Sequence, residues 1–169
     1  MATVLVTGAS GFIGSALTLH LESSGWTVVR ASRRRPPDSA LAWRHYDIAA
    51  ELEPGFLDGM DVVIHAAYVT SRESAGSLRE NVAAAERLVA AARHADARIA
   101  FVSSLAAHDA ARSSYGRQKR AIERLLEPSR DLAIRRLEEL AIDAVHPDRD
   151  PLPRHAERAH LVRAGLAPG

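Results

Sequence analysis

A chain of 169 residues, 47% hydrophobic and 25% charged, has the size and balance of one globular domain. Its formal net charge of +1 argues against nucleic-acid or membrane partners, and the absence of cysteine removes disulfides, thiolate metal sites and cysteine nucleophiles together. No stretch approaches the roughly 18 apolar residues needed to span a bilayer, and "MATVLVTG" lacks the basic start and long apolar centre of a secretion signal, so a cytoplasmic protein is expected.

Short runs rich in β-branched residues alternate with longer segments of helical period. A strand is expected at "TVLVT" (3–7), then a helix over 12–24 with Ile13, Ala16, Leu17 and Leu21 on one face. Strands follow at "TVVRA" (27–31), a short one near "WRHYD" (43–47), and "DVVIHAA" (61–67). The next helix, 78–95, aligns Leu78, Val82, Ala85, Leu88, Val89 and Ala92; "RIAFVSS" (98–104) is a strand; 114–126 is a helix buried through Ile122, Leu125 and Leu126; and "DLAIRR" (131–136) is the last strand. Near-continuous apolar strands are those of a sheet covered on both faces, and strands alternating with helices read as an α/β fold with a doubly wound parallel sheet. The domain closes near residue 137. Residues 138–169 hold four of the eight prolines and three of the eight histidines, and read as an irregular tail with one short helix through 154–164.

Between the first strand and first helix, "VLVTGASGFIGSAL" carries Gly8, Gly11 and Gly14. A tight turn, close approach of backbone to a pyrophosphate, and close helix-to-strand packing each require a missing Cβ. The helix N-terminus then offers unpaired N–H groups to the phosphates. Strand before and helix after supply the context of a dinucleotide site. "TGASGFIG" resembles the TGxxGxxG fingerprint of the short-chain dehydrogenase/reductase superfamily, in its extended or atypical branch of NAD(P)-dependent epimerases, dehydratases and ketoreductases. The resemblance implies a Rossmann-like fold and a cofactor lying on Gly8, Ser10, Gly11, Phe12, Ile13 and Gly14.

An NAD-selective site places a carboxylate at the end of the second strand to hold the ribose 2′-hydroxyl. Ser32 stands there, followed by Arg33, Arg34 and Arg35. Hydroxyl and guanidinium suit a 2′-phosphate, so NADP(H) is expected over NAD(H), although three arginines before two prolines also read as a solvated loop. The resemblance further maps Asp47 and Ile48 beside the adenine, the backbone of Ala66 and Ala67 along the cofactor, and Asn81 as a support for the active-site backbone. His65 is expected to pack at its strand end rather than to catalyse.

The chain has 21 arginines and one lysine, and that lysine, Lys119, lies four residues after Tyr115. On a helix the two side chains share a face, one turn apart. A free phenol is too weak an acid to exchange protons near neutrality; a nearby ammonium favours the phenolate, and the compact amine also suits the nicotinamide ribose hydroxyls. The family pattern selects Ser104 from "FVSS" to bond the substrate oxygen, with Tyr115 transferring the proton and Lys119 tuning it. The reading is thus an oxidoreductase or epimerase/dehydratase-like enzyme acting on a carbonyl or secondary alcohol of a small molecule; its rival is a dinucleotide-binding module without turnover.

Extended relatives continue past the sixth strand into an Arg-Pro motif and a large substrate-binding region. Here "LAIRRL" meets Glu138 and Glu139, Ser104 to Tyr115 is a short gap, and Gln118 stands where a small residue is usual. Two accounts follow: a minimal reductase completed by a second subunit, hence a homodimer, or a remnant that has lost its C-terminal third. Substrate identity would lie in "YVTSRESAGS" (68–77) and in that missing region.

Overall fold

The structure, a computed structural model, describes residues 2–37, 40–69, 75–126 and 132–134. Alternation along its strands sends side chains to two separate cores. Val4, Val6, Val28, Val62, Ile64, Ala100 and Val102 form one; Leu5, Val29, Ala31, Val63, Ile99 and Phe101 belong to the other. Both faces are therefore buried, which is why the strands are apolar at successive positions rather than every second one.

The strands are β1 (Thr3–Thr7), β2 (Thr27–Ser32), β3 (Trp43–His45), β4 (Val62–His65), β5 (Arg98–Val102) and β6 (Leu132–Ile134). They pair in parallel in the order β3-β2-β1-β4-β5-β6, the Rossmann-like arrangement expected. Helix α1 (Phe12–Ser23) places Ile13, Leu17 and Leu21 against the first core. Helices α2 (Ala75–His94) and α3 (Ser114–Leu126) cover the second with Ala84, Ala85, Leu88, Val89, Ala92, Ile122 and Leu126. Full burial of a side chain such as Leu88 or Phe101 contributes about 1.5–3 kcal/mol.

Two details depart from the periodicity. The apolar face of α1 is half-buried, and its fully buried residues are Gly14 and Thr18, because the helix rests on the glycine turn as well as on the sheet. Helix α2 begins at Ala75, three residues before the expected start. Both α1 and α2 end in the same closure. Trp26 N–H reaches Leu21 O across left-handed Gly25, and Ala97 N–H reaches Ala92 O across left-handed Asp96.

Strand β1 is central, with β2 on one side and β4 on the other: Thr7 is in register with both Ala31 and His65. After β3 the chain crosses to the opposite side of β1, and the carboxyl ends of β1 and β4 flank this reversal, where open α/β sheets bind ligands. The tail from 138 onward, with its expected helix at 154–164, lies outside the described residues. No helix among the described residues is long and apolar enough to cross a membrane.

Candidate active site

The glycine turn assigns a different task to each glycine. Gly8 adopts φ +70°, and a Cβ there would lie 2.7 Å from the N and Cα atoms of Ala67, so its absence lets the end of β4 close on the end of β1. Gly11 donates its N–H to Gly8 O at 2.9 Å and precedes α1, whose first turn no side chain caps. A Cβ on Gly11 would meet only Gly8 O, at 3.2 Å, leaving the space above the turn open. A Cβ on Gly14 would lie 2.1 Å from Gly8 O, so the helix reaches the turn only because this residue has none. Ser10, Gly11 and Phe12 are exposed and Ile13 half-buried. Open N–H groups at the positive end of a helix dipole, with no side chain above them, fit a diphosphate.

At the end of β2, the Ser32 hydroxyl, expected to face a 2′-phosphate, is engaged within its own loop. It donates to Arg34 O at 2.7 Å and accepts from Trp43 Nε1 at 3.0 Å. Arg33 and Arg34 are exposed, and the Arg35 guanidinium lies 6.0 Å from the Trp43 ring centroid. Beyond β3, Asp47 Oδ1 accepts Ala49 N–H at 3.0 Å, while Arg87 of α2 donates to Ile48 O at 2.6 Å. The Asp47–Ile48 turn is thus held from within and from the helix.

The segment after β4 is fixed twice. Ala67 N–H donates to Thr7 Oγ1 at 3.3 Å, and Thr7 Oγ1 lies 2.8 Å from His65 Nδ1. Burial first, and the charge of Lys119 second, push His65 down to about 3, so it stays neutral and packs, as expected of a strand-end residue. Two residues past Ala67, Asn81 accepts Val69 N–H and donates to Val69 O, each at 3.0 Å. The same Nδ2 donates to Gln118 Oε1 at 3.1 Å.

Strand β5 delivers two serines with different surroundings. Ser103 is buried and donates to Glu123 Oε1 at 2.7 Å; Ser104 is half-buried, its Oγ accepting Ala106 N–H at 3.2 Å. Ser113 caps α3 by accepting Gly116 N–H at 3.0 Å. Gly116 lies so close to the preceding loop that a Cβ would stand 2.4 Å from Ala106 O. Asp109 adds ion pairs to Arg120 and Arg124, both at 2.8 Å, which tie the 105–113 loop to the helix.

Tyr115 and Lys119 emerge together from that helix. Tyr115 is 39% exposed, whereas Lys119 is 4% exposed and donates from Nζ to Val102 O at 2.7 Å. Three rings surround the ammonium: Nζ is 4.1 Å from the centroid of Tyr68, 4.5 Å from Phe101 and 5.7 Å from Tyr115. Burial pushes Lys119 down to about 8 against the opposing attraction of Glu123. Sequence reasoning did not single out Tyr68, Ser103 or Glu123. Glu123 had a readable signal, since it stands one helical turn beyond the lone lysine.

Residues 4–136 match the family model of the NAD dependent epimerase/dehydratase family. The chain belongs to that family. Within the same superfamily, it is 37% identical over 140 residues to a ceramide reductase of Caulobacter vibrioides, covering 75% of this chain and 43% of that protein. It is 33% identical over 84 residues to epimerase family protein Mb2239 of Mycobacterium bovis, covering 48% and 27% of the two. Among solved structures, MoeE5 in complex with UDP-glucose and NAD aligns with a TM-score of 0.68 at 31% identity, over 79% of this chain and 54% of that one. UDP-glucose 4-epimerase from Brucella ovis in complex with NAD aligns with a TM-score of 0.67 at 25% identity, over 80% and 51%. The chain spans about half the length of these relatives, or less. The family relationship and the open glycine turn together support a nicotinamide dinucleotide as the cofactor class.

Two outcomes are expected. Gly14→Ala drives a methyl into Gly8 O and should lower stability by about 2–3 kcal/mol, read as a lower urea midpoint, while Gly11→Ala, whose methyl would stand 3.2 Å from the same oxygen, should lower it less. His65 binds its proton more weakly folded than unfolded, so its contribution to stability is present above about pH 6.5. It is lost as pH falls toward about 3, amounting to about 4 kcal/mol by then. Melting temperature followed against pH should therefore fall less steeply on acidification in His65→Asn than in wild type.

Proposed function

We propose that this chain carries the cofactor-binding and proton-transfer machinery of an NADP(H)-dependent enzyme that oxidises or reduces a small-molecule alcohol or carbonyl. The observation that carries the reading is the single lysine, buried at the carboxyl end of β5 with Nζ 5.7 Å from the ring centre of the partly exposed Tyr115. A bound nicotinamide would supply or accept the hydride. The chain's own residues handle the proton. Tyr115, partly exposed, would exchange the proton with the substrate oxygen, and Lys119, charged below about pH 8, sets a positive charge 5.7 Å from the centre of its ring. Ser104, half-buried just past β5, would donate to the substrate oxygen.

The dinucleotide would rest on the backbone of Gly8 to Gly14, with Ala66 and Ala67 along one side, Asp47 and Ile48 toward the base, and Asn81 holding the segment that carries them. Preference for the 2′-phosphate rests on exposed Arg33 and Arg34 and on the lack of a carboxylate at Ser32, which shapes the loop that presents them. Likeness to a ceramide reductase favours reduction; likeness to UDP-sugar enzymes favours a sugar alcohol. The same Ser–Tyr–Lys set serves either chemistry.

Tyr115→Phe should bind NADPH within about twofold of wild type by calorimetry yet lose about 10²–10⁴-fold in NADPH oxidation with phenanthrenequinone as carbonyl probe. Retention of binding by a wild type that never turns over would reduce the reading to a binding module. NADPH should raise the melting temperature more than NADH does, and Arg33→Ala should weaken NADPH binding about tenfold while leaving NADH unchanged. Equal affinities in wild type would remove the NADP preference.

A further inference from the structure

The ammonium of Lys119 has three N–H groups, and one of them is bonded to Val102 O. On its other sides lie aromatic faces. The nearest is Tyr68, a residue of the segment after β4 with no part in the proton relay, and its ring is pinned at both ends. Its hydroxyl donates to Gln118 Oε1, which also accepts from Asn81 Nδ2, and Asn81 in turn grips the backbone of Val69. Backbone, amide, amide and phenol close into one loop around the lysine. The ring edge meets Tyr115, with centroids 5.4 Å apart and planes at 81°, so the same side chain touches both members of the pair.

Resting on the catalytic reading of that pair, we propose that Tyr68 is a positioning residue: its π face holds the Lys119 ammonium against β5 while its edge orients Tyr115. A buried cation over an aromatic face is stabilised by the ring quadrupole without the desolvated carboxylate that a direct ion pair would require. Gln118 thereby gains a reason to be large, since a small side chain there could not reach the Tyr68 hydroxyl. Burial, and then the neighbouring Tyr115, push the Tyr68 phenol up to about 12, so it remains neutral and does not compete with Tyr115 as a proton donor. The other titratable groups facing Nζ are Tyr115 and Glu123 from α3 and His65 from β4. Glu123 is engaged by Ser103 and Arg120, and His65 is neutral throughout the range in which the lysine titrates.

Because the chain has one lysine, protein grown on ¹³C-lysine gives a single Cε signal, and its pH titration reads Lys119 alone. The proposal predicts that Tyr68→Phe leaves the midpoint near that of wild type, and that fluorinated phenylalanines at the same position lower it stepwise as π density is withdrawn at nearly constant shape. Tyr68→Leu should lower it by about one pH unit, a tenfold loss of proton affinity. If Tyr68 merely seals the site, Tyr68→Leu admits water and the midpoint rises toward that of a free lysine, while fluorination does nothing. Either a rise or an unchanged midpoint across the fluorinated series overturns the proposal. The titration needs no cofactor, so it fails or succeeds separately from the catalytic reading. NADPH added to wild type should move the same signal, and no movement would overturn the catalytic role of Lys119 while leaving the fluorinated series to decide what Tyr68 does.

Discussion

The end of β4 can lie against the end of β1 only where β1 is followed by a residue without a side chain. Any Cβ on Gly8 would stand inside contact distance of Ala67, and moving Ala67 would disturb everything attached to it. Ala67 hangs from Thr7, Val69 from Asn81, and Tyr68 between them covers Lys119. One missing methyl thus couples the glycine turn to the Tyr115–Lys119 pair. Gly14 repeats the device from the helix side, so the turn is compressed between two elements and has little room to rearrange.

A domain of near-zero net charge keeps ionisable groups inside its core. Lys119 and Glu123 are both nearly inaccessible, as is His65. An isolated buried ion is costly, and each of these has a distinct remedy. Glu123 collects hydrogen bonds from Ser103 and charge from Arg120; His65 stays uncharged beside Thr7; Lys119 combines one carbonyl with aromatic faces. The lysine's arrangement is the least saturated of the three. An ammonium facing rings is held more weakly than one facing a second acceptor, which leaves Lys119 the most readily redirected of the three.

Much of this was legible in the residues. β-branched runs placed β1, β2, β4 and β5, because burial on both faces makes those strands largely apolar, and the turn glycines and the Tyr115–Lys119 spacing pointed to the carboxyl edge of the sheet. What periodicity missed depends on partners far away in the chain. Ser32 looked like a free donor until Trp43 and the Arg34 carbonyl closed on it. Gln118 looked anomalous because its partner, Tyr68, is 50 residues distant. On α1 the expected apolar residues Ile13, Leu17 and Leu21 do pack on the core, but the point of closest approach, Gly14, carries no hydrophobic signal and could not be read from periodicity.

The topology also has a consequence for how the protein comes into being. Strand β1 is made before the other strands of the sheet but acquires its second neighbour only with β4, since Thr7 and His65 are 58 positions apart. During synthesis, one flank of the central strand stays unpaired while the next two strands and the intervening turns are made. The nascent chain therefore carries an open, adhesive sheet edge beside the glycine turn, and a chaperone holding that edge would be guarding the place where the strand order later reverses.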